Sequence, residues 1–315
     1  MLCLLDVFGQ KKIEELDGVY AFAYWKENHL ILARDILGEK PLWFCMEDGF
    51  AFASEKNVLE QLGYQHIREL HPRHVLTYQI LSRIIETNYR GFFSHLPEHL
   101  ESFEEIKRRT TELLDQSIQK RIPLQKFGLL FSGGIDSTYL AYWLKKRGYD
   151  FTCYTAALET GGVPPTDLVS AQKVAQELGL KLKIKKIKLE EVPLYLQKVV
   201  PLIEDSNVVK VGVALTFYGA CELAKEDGCK VIFSGLGSEE IFAGYERHKQ
   251  SSNINQECVS GLRKMYERDL YRDDVITMAH QLELRLPFLD KQLVEYALRI
   301  PEKYKITPET TKFIL

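Results

Sequence analysis

The amino-acid sequence predicts an α/β protein, a doubly wound parallel sheet preceded by a smaller, mostly β domain. Three observations carry that expectation. From Lys126 onward, short apolar runs alternate with stretches of helical period, the pattern of parallel strands joined by crossover helices. Before residue 90 the apolar runs are separated instead by tight turn signals. A chain of 315 residues, 45% hydrophobic and 27% charged, can also bury a full core and fold as two domains.

Residues 19–25 read as a strand, Glu27-Asn28 as a turn and residues 29–33 as a second strand. Residues 42–45 and 50–53 flank Glu47-Asp48-Gly49, a hairpin signal, and a third unit covers residues 73–80. This first domain is placed at residues 1–90. His71 and His74, like His95 and His99, lie on no uninterrupted helix and have no acid or cysteine at ligand spacing, so both pairs read as surface loop. Residues 91–101 read as a linker, and residues 102–315 as the second domain. Ser102 and Glu105 form a capping box, after which Phe103, Ile106, Leu113, Leu114 and Ile118 give the helix a buried stripe.

The stretch Leu129-Leu130-Phe131-Ser132-Gly133-Gly134-Ile135-Asp136-Ser137-Thr138 organises the second domain. An apolar strand enters it, and a helix with Tyr139, Leu140, Trp143 and Leu144 on one face leaves it. The two glycines let backbone approach a bulky anion, and the helix start aims unpaired N–H groups at it. Ser132, Ser137 and Thr138 add hydroxyls for phosphate oxygens. Asp136 would repel a bare phosphate, which implies a bridging Mg²⁺. No lysine stands in the Walker pattern, so this is a different phosphate loop.

Beyond it, residues 151–158, 181–189 and 230–233 read as strands, and residues 166–178 and 215–224 as helices. Ligands of such sheets bind at the carboxyl ends of the strands, where Ser132, Ala156 and Ser234 would lie. A second cluster of small residues and acids succeeds the last strand, Phe233-Ser234-Gly235-Leu236-Gly237-Ser238-Glu239-Glu240. Glu239 and Glu240 would complete a Mg²⁺ site facing Asp136, although acids also suit any helix N-terminus. Charge and cysteines bound the partners. A net charge of −3 without a basic tail gives no footprint for nucleic acid. Six scattered cysteines without a C-x-x-C pair indicate reduced thiols in a cytoplasmic protein, and no apolar stretch has membrane-spanning length.

The word Ser-Gly-Gly-Ile-Asp-Ser resembles the pyrophosphate loop of the ATP pyrophosphatases, enzymes that cleave ATP to AMP and pyrophosphate while adenylating a carboxylate or carbonyl. The later words look like one branch of them. Ser234–Tyr245 is similar to the asparagine synthetase Ser-Gly-Glu-Gly-Ser-Asp-Glu-Val-Phe-Gly-Gly-Tyr, and residues 271–274 and 278–290 also resemble that family. Residues 16–23, 33–42 and 52–56 resemble the later part of the class II glutamine amidotransferase domain that precedes it, with Arg34-Asp35 and Gly38 also readable as a salt-bridged turn. The resemblance covers nearly all of residues 13–315.

It implies an adenine nucleotide alpha hydrolase-like fold and an AMP-forming amide ligase using ATP, Mg²⁺, a carboxylate such as aspartate, and ammonia. Ser132, Gly133, Gly134 and Ser137 would hold pyrophosphate; Leu130, Ala156, Ser234 and Gly235 would contact AMP; Asp136 and Glu239, the expected catalytic pair, would hold Mg²⁺ with Glu240 beside them. Glu283, Arg285 and residues 287–290 read as structural, the last as packing of the pocket wall.

Departures from the family pattern accompany the match. The glutaminase nucleophile is an N-terminal cysteine, whereas this chain begins Met1-Leu2-Cys3, and the glutamine-holding words lie upstream of the first matched residue. No glutaminase activity is therefore expected, and ammonia would come free or from a separate glutaminase subunit. Leu236 stands where synthetases carry a Glu, and Gly212 where they carry an Arg. The family's phosphate-binding lysine would fall after Leu315, with residues 312–315 reading as part of a helix. A non-catalytic relative that binds nucleotide or a partner protein is the alternative these departures favour. The absence of a cysteine pair and of a basic surface argues against tRNA modification, and a homodimer stays open.

Overall fold

The computed structural model describes residues 5–6, 10–95, 97–162 and 164–315. Cys3, the cysteine nearest the chain start, lies outside the described residues. Two compact units emerge: one runs to Ser94 and includes Gly261–Tyr271, the other comprises His95–Ser260 and Arg272–Leu315.

The first unit is antiparallel. Strands β1 (Ala21–Lys26), β2 (His29–Arg34), β3 (Trp43–Met46) and β4 (Phe50–Ala53) are followed by helix α1 (Lys56–Gln61) and strands β5 (Arg68–Glu69), β6 (His74–Gln79) and β7 (Ile84–Tyr89). They form a sheet ordered β1-β2-β6-β7 and a second ordered β4-β3-β5. β2 is covered on both faces, which is why its sequence does not alternate with polar residues. Ile31 and Ala33 join Tyr24 and Val75 in one core cluster, while Leu32 joins Phe44, Leu70, Leu76 and Tyr78 in another. Phe50 and Tyr78 stack with ring centroids 4.5 Å apart.

Arg34 does not pair with its neighbour Asp35. Its guanidinium is fully buried and donates to the Glu69 carboxylate at 2.6 Å and the Gly38 carbonyl at 2.8 Å. Asp35 instead accepts from the backbone N–H groups of Glu39 and Lys40, closing the turn. His74 belongs to β6, not to a loop, because it pairs across the ladder with Tyr89.

The second unit opens on α2 (Phe103–Gln119). The Ser102 hydroxyl accepts from Glu105 N–H and the Glu105 carboxylate from Ser102 N–H, so the capping box forms as expected. Then come β8 (Phe127–Leu130), α3 (Ile135–Lys146), β9 (Thr152–Glu159), α4 (Thr166–Glu177), β10 (Leu182–Lys188), α5 (Val192–Ile203), α6 (Val208–Glu226), β11 (Val231–Phe233), the short α7 (Ser238–Ile241) and β12 (Glu283–Arg285). The strands pair in parallel in the order β10-β9-β8-β11-β12. β10 forms one edge of the sheet. Its lysines meet partners on neighbouring elements, Lys183 with Asp227 and Lys186 with Glu159, and such charges discourage edge-to-edge pairing.

Two helical expectations change. α6 begins at Val208, not near 215, because the Asn207 side chain accepts from the N–H groups of Val209 and Lys210 and caps it early. Residues 312–315 are not helical. Ile306 and Thr311 form a β-bridge, and Lys312 has a positive φ of 52°. His99 is not a surface residue either, since its ring stacks on Tyr296 with centroids 4.0 Å apart. Among the described residues no helix is long and apolar enough to cross a membrane.

Candidate functional site

The strand order reverses between β8 and β11: the chain leaves β8 towards β9 on one side and β11 towards β12 on the other. Adjacent strands whose connections diverge leave a crevice at their carboxyl ends. A cavity of about 470 Å³ opens there, within the range of small-molecule sites. Its lining includes Leu130, Ser132, Asp136, Ser137, Ala156, Ser234, Gly235 and Glu239, which the sequence had nominated from separate segments.

The turn after β8 is shaped by its glycines. Gly133 has φ +74°, and a Cβ on it would fall 2.5 Å from the backbone of Ser170 and Ala171 in α4. Gly134 is the N-cap of α3 and supplies no side chain to the first N–H groups, which leaves those donors for an anion. Ser132 is exposed, and its Oγ lies 3.3 Å from that of Ser137. The turn after β11 comes so close that a Cβ on Gly235 would lie 2.7 Å from Cβ of Asp136.

Three charged groups meet where the turns converge. Lys312 Nζ donates to Asp136 Oδ2 and to Glu239 Oε1, each at 2.6 Å, and the Ser238 hydroxyl donates to Asp136 Oδ1. The Lys312 side chain is 5% exposed and that of Asp136 17%. A Cβ on Gly244 would come 1.6 Å from Glu239 Oε2 and 2.3 Å from Lys312 Cε, so only glycine leaves room for this pair.

Three nominated residues, Gly133, Gly134 and Glu240, are absent from the cavity lining. Glu240 is fully buried away from the cavity lining, and its Oε1 accepts from the Tyr245 hydroxyl at 2.9 Å. On the first turn of a helix, successive side chains point about 100° apart, so Glu239 and Glu240 cannot both face one ion. Sequence reasoning missed Lys312, Ser238, Arg272, Asp273 and Asp167. Arg272 and Asp273 line the cavity and pair through Nε and Oδ1 at 2.7 Å. The only hints were the small-residue word around Ser238 and the family resemblance at residues 271–274. Among the described residues no group of three or more His, Cys, Asp or Glu is placed to hold a metal ion. Among the described residues the cysteines are buried: burial pushes the Cys153 pKa up to about 12, and burial followed by Asp273 raises Cys221 well above its usual range.

The family model described as Asparagine synthase matches residues 109–259 and 249–315, most of the second unit. The chain belongs to the asparagine synthase family. The Glutamine amidotransferase domain model matches residues 1–112. A putative asparagine synthetase [glutamine-hydrolyzing] 1 of Methanocaldococcus jannaschii is 36% identical over 96% of this chain and 60% of its own length. The asparagine synthetase [glutamine-hydrolyzing] of Mus musculus is 31% identical over 97% of this chain and 60% of its own. This chain thus spans about 60% of the length of the curated relatives it matches. A U34-tRNA thiolase from Methanococcus maripaludis superposes with a TM-score of 0.33 at 14% identity, covering 61% of this chain and 63% of that one, too loosely to bear on the site. Both turns of this cavity lie within residues 109–259, which that family model matches.

Proposed function

We propose that this member of the asparagine synthase family is an ATP-dependent carbon–nitrogen ligase that adenylates a carboxylate, aspartate or a related acid, and transfers the acyl group to ammonia. The observation that carries the reading is the convergence of Asp136, Glu239 and Lys312 at the mouth of a glycine turn capped by free helix N–H groups. In the first step an oxygen of the acid attacks the α-phosphorus of ATP, the bond from that phosphorus to the α–β bridging oxygen breaks, and pyrophosphate leaves. In the second, ammonia attacks the acyl carbon, AMP leaves, and the spare proton passes to solvent.

Ser132, Gly133, Gly134 and Ser137 would cradle the departing pyrophosphate, and Lys312 would add a positive charge to it. Leu130, Ala156, Ser234 and Gly235 would face the AMP portion. The carboxylates of Asp136, Asp167, Glu239 and Asp273 outnumber the cations Arg272 and Lys312 around the cavity, so a polyphosphate needs additional positive charge. The donor set fits Mg²⁺, because two carboxylates already converge on one ammonium and Mg²⁺ takes few protein ligands. Asp136 and Glu239 are the residues that would hold it, and the ion would neutralise phosphate charge as pyrophosphate forms. Lys312, freed from both carboxylates, would then turn to phosphate.

Pyrophosphate release from Mg-ATP, with each amino acid in turn and ammonium present, tests the reading beside an Asp136→Ala control. Release that requires an acid and is abolished in the control is expected. Leu236 favours a second reading, since an alkyl group in the cavity lining can neither move a proton nor offer a carboxylate. ATP binding with no release for any acid would establish that non-catalytic role. The buried, free cysteines suit a cytoplasmic protein.

A further inference from the structure

Lys312 is carried into the site on a β-hairpin. Ile306 and Thr311 pair across it, and Thr307 N–H donates to the Thr310 carbonyl at 2.9 Å to close the turn. The hairpin is rooted in the interior. Lys305, fully buried, donates to Asn255 Oδ1 at 2.6 Å, and its carbonyl accepts from Phe313 N–H at 2.9 Å. Between these fixed points Lys312 takes a φ of 52°, which L-residues adopt at a cost, and its side chain is 5% exposed. An ammonium so far removed from water needs anions that hold it.

Those anions are the two carboxylates proposed to hold Mg²⁺, and each has one oxygen engaged elsewhere. The Ser238 hydroxyl donates to Asp136 Oδ1, and Glu239 Oε2 packs so closely on Gly244 that a Cβ there would fall 1.6 Å from it. The other two oxygens, Asp136 Oδ2 and Glu239 Oε1, both accept from Lys312 Nζ at 2.6 Å. Among the described residues no third His, Cys, Asp or Glu completes a metal-holding group, so these two oxygens are what the protein offers a cation. An ammonium and a divalent cation cannot both sit on them, because their charges repel steeply at such a separation. Lys312 can leave only for another anion, since a buried ammonium stripped of both water and carboxylate is strongly unfavourable. A polyphosphate seated on the first N–H groups of α3 is such an anion.

We infer that Lys312 locks the metal site of the nucleotide-free protein, so that a divalent cation is admitted only when a polyphosphate draws Lys312 away. The inference rests on the adenylation reading and deepens it, from which residues hold the ion to the order in which ion and nucleotide are taken up. Metal and polyphosphate are then coupled through one side chain: each favours the arrangement in which Lys312 has left Asp136 and Glu239.

The test is a titration of the full chain with Mn²⁺ in the absence of nucleotide, the free ion being followed by electron paramagnetic resonance. The unsubstituted protein should bind Mn²⁺ weakly, and Lys312→Met should bind it at least about tenfold more tightly, within the usual range of coupling between sites. Lys312→Gln, which also lacks the charge but keeps a polar tip, should show the same gain. Adding Asp136→Asn to Lys312→Met should abolish it. Mn²⁺ affinity unchanged in both single variants would overturn the lock, as would a gain that survives Asp136→Asn, since the ion would then sit elsewhere. No binding to any variant at millimolar Mn²⁺ would overturn the lock together with the assignment of Asp136 and Glu239 to the metal. None of these outcomes bears on pyrophosphate release, by which the adenylation reading stands or falls.

Discussion

The turns after β8 and after β11 sit side by side and are built on opposite plans. The first is a backbone device. Its glycines are required by a positive φ at Gly133 and by the approach of α4, and its chemistry lies in N–H groups and hydroxyls of one contiguous segment. The second is a side-chain device. Its work depends on Glu239, which is held by Lys312 from 73 residues away and made possible by the space at Gly244. A site read by backbone tolerates drift in nearby side chains, while one built from distant side chains depends on every contact that brings them together.

The largest effect should come from the group that both turns share. Asp136→Asn removes the charge that meets Lys312 and Ser238 and should lower pyrophosphate release by about 100-fold or more, roughly 2.7 kcal/mol, in a single-turnover assay. Gly244→Ala tests the second turn alone. A methyl group 1.6 Å from Glu239 Oε2 must displace the ends of Glu239 or Lys312, so activity should fall at least about tenfold, while stability in urea changes little because both are flexible side chains.

The adjacent glutamates sharpen the contrast further. Glu239→Gln should lower release by about tenfold with little change in melting temperature, because its side chain is partly exposed and its partner is Lys312. Glu240→Gln should leave release within about twofold and instead cost about 1 kcal/mol of stability, because its buried carboxylate accepts from Tyr245. If the two variants exchanged these effects, Glu240 and not Glu239 would be the site residue.

A further effect, on stability alone, concerns the support of the second turn. His248 Nδ1 accepts from Tyr245 N–H, and burial, then Arg247 and Lys305, pushes its pKa down to about 4. The unfolded chain binds a proton there near pH 6.5 and the folded one does not, so this contribution is complete above pH 6.5 and is lost as pH falls towards 4. His248→Gln should flatten the dependence of urea stability on pH across that window.

Much of the fold was legible because its signals are local. The capping box at Ser102, the apolar runs of β8, β9 and β11, and the Gly133-Gly134 turn each occupy a few consecutive residues whose types dictate one backbone path. The start of α6 was missed because its signal is a single capping Asn207 ahead of valines that favour strands. The path of residues 312–315 was misread for a different reason: Lys312 is drawn to carboxylates, and no local rule anticipates its positive φ.

By itself the sequence determined the parallel sheet, the glycine turn that carries Ser132 and Asp136, and the nomination of Ser234, Gly235 and Glu239 from a second strand end. Tertiary structure decided which of two neighbouring glutamates faces the cavity, and it brought in Arg272, Asp273 and Lys312. Lys312 and Asp136 are 176 residues apart and meet only because parallel packing places both turns at one end of the sheet. Local residue types set backbone geometry over a few residues, whereas a charged cluster needs the order of strands to exist before its members have neighbours.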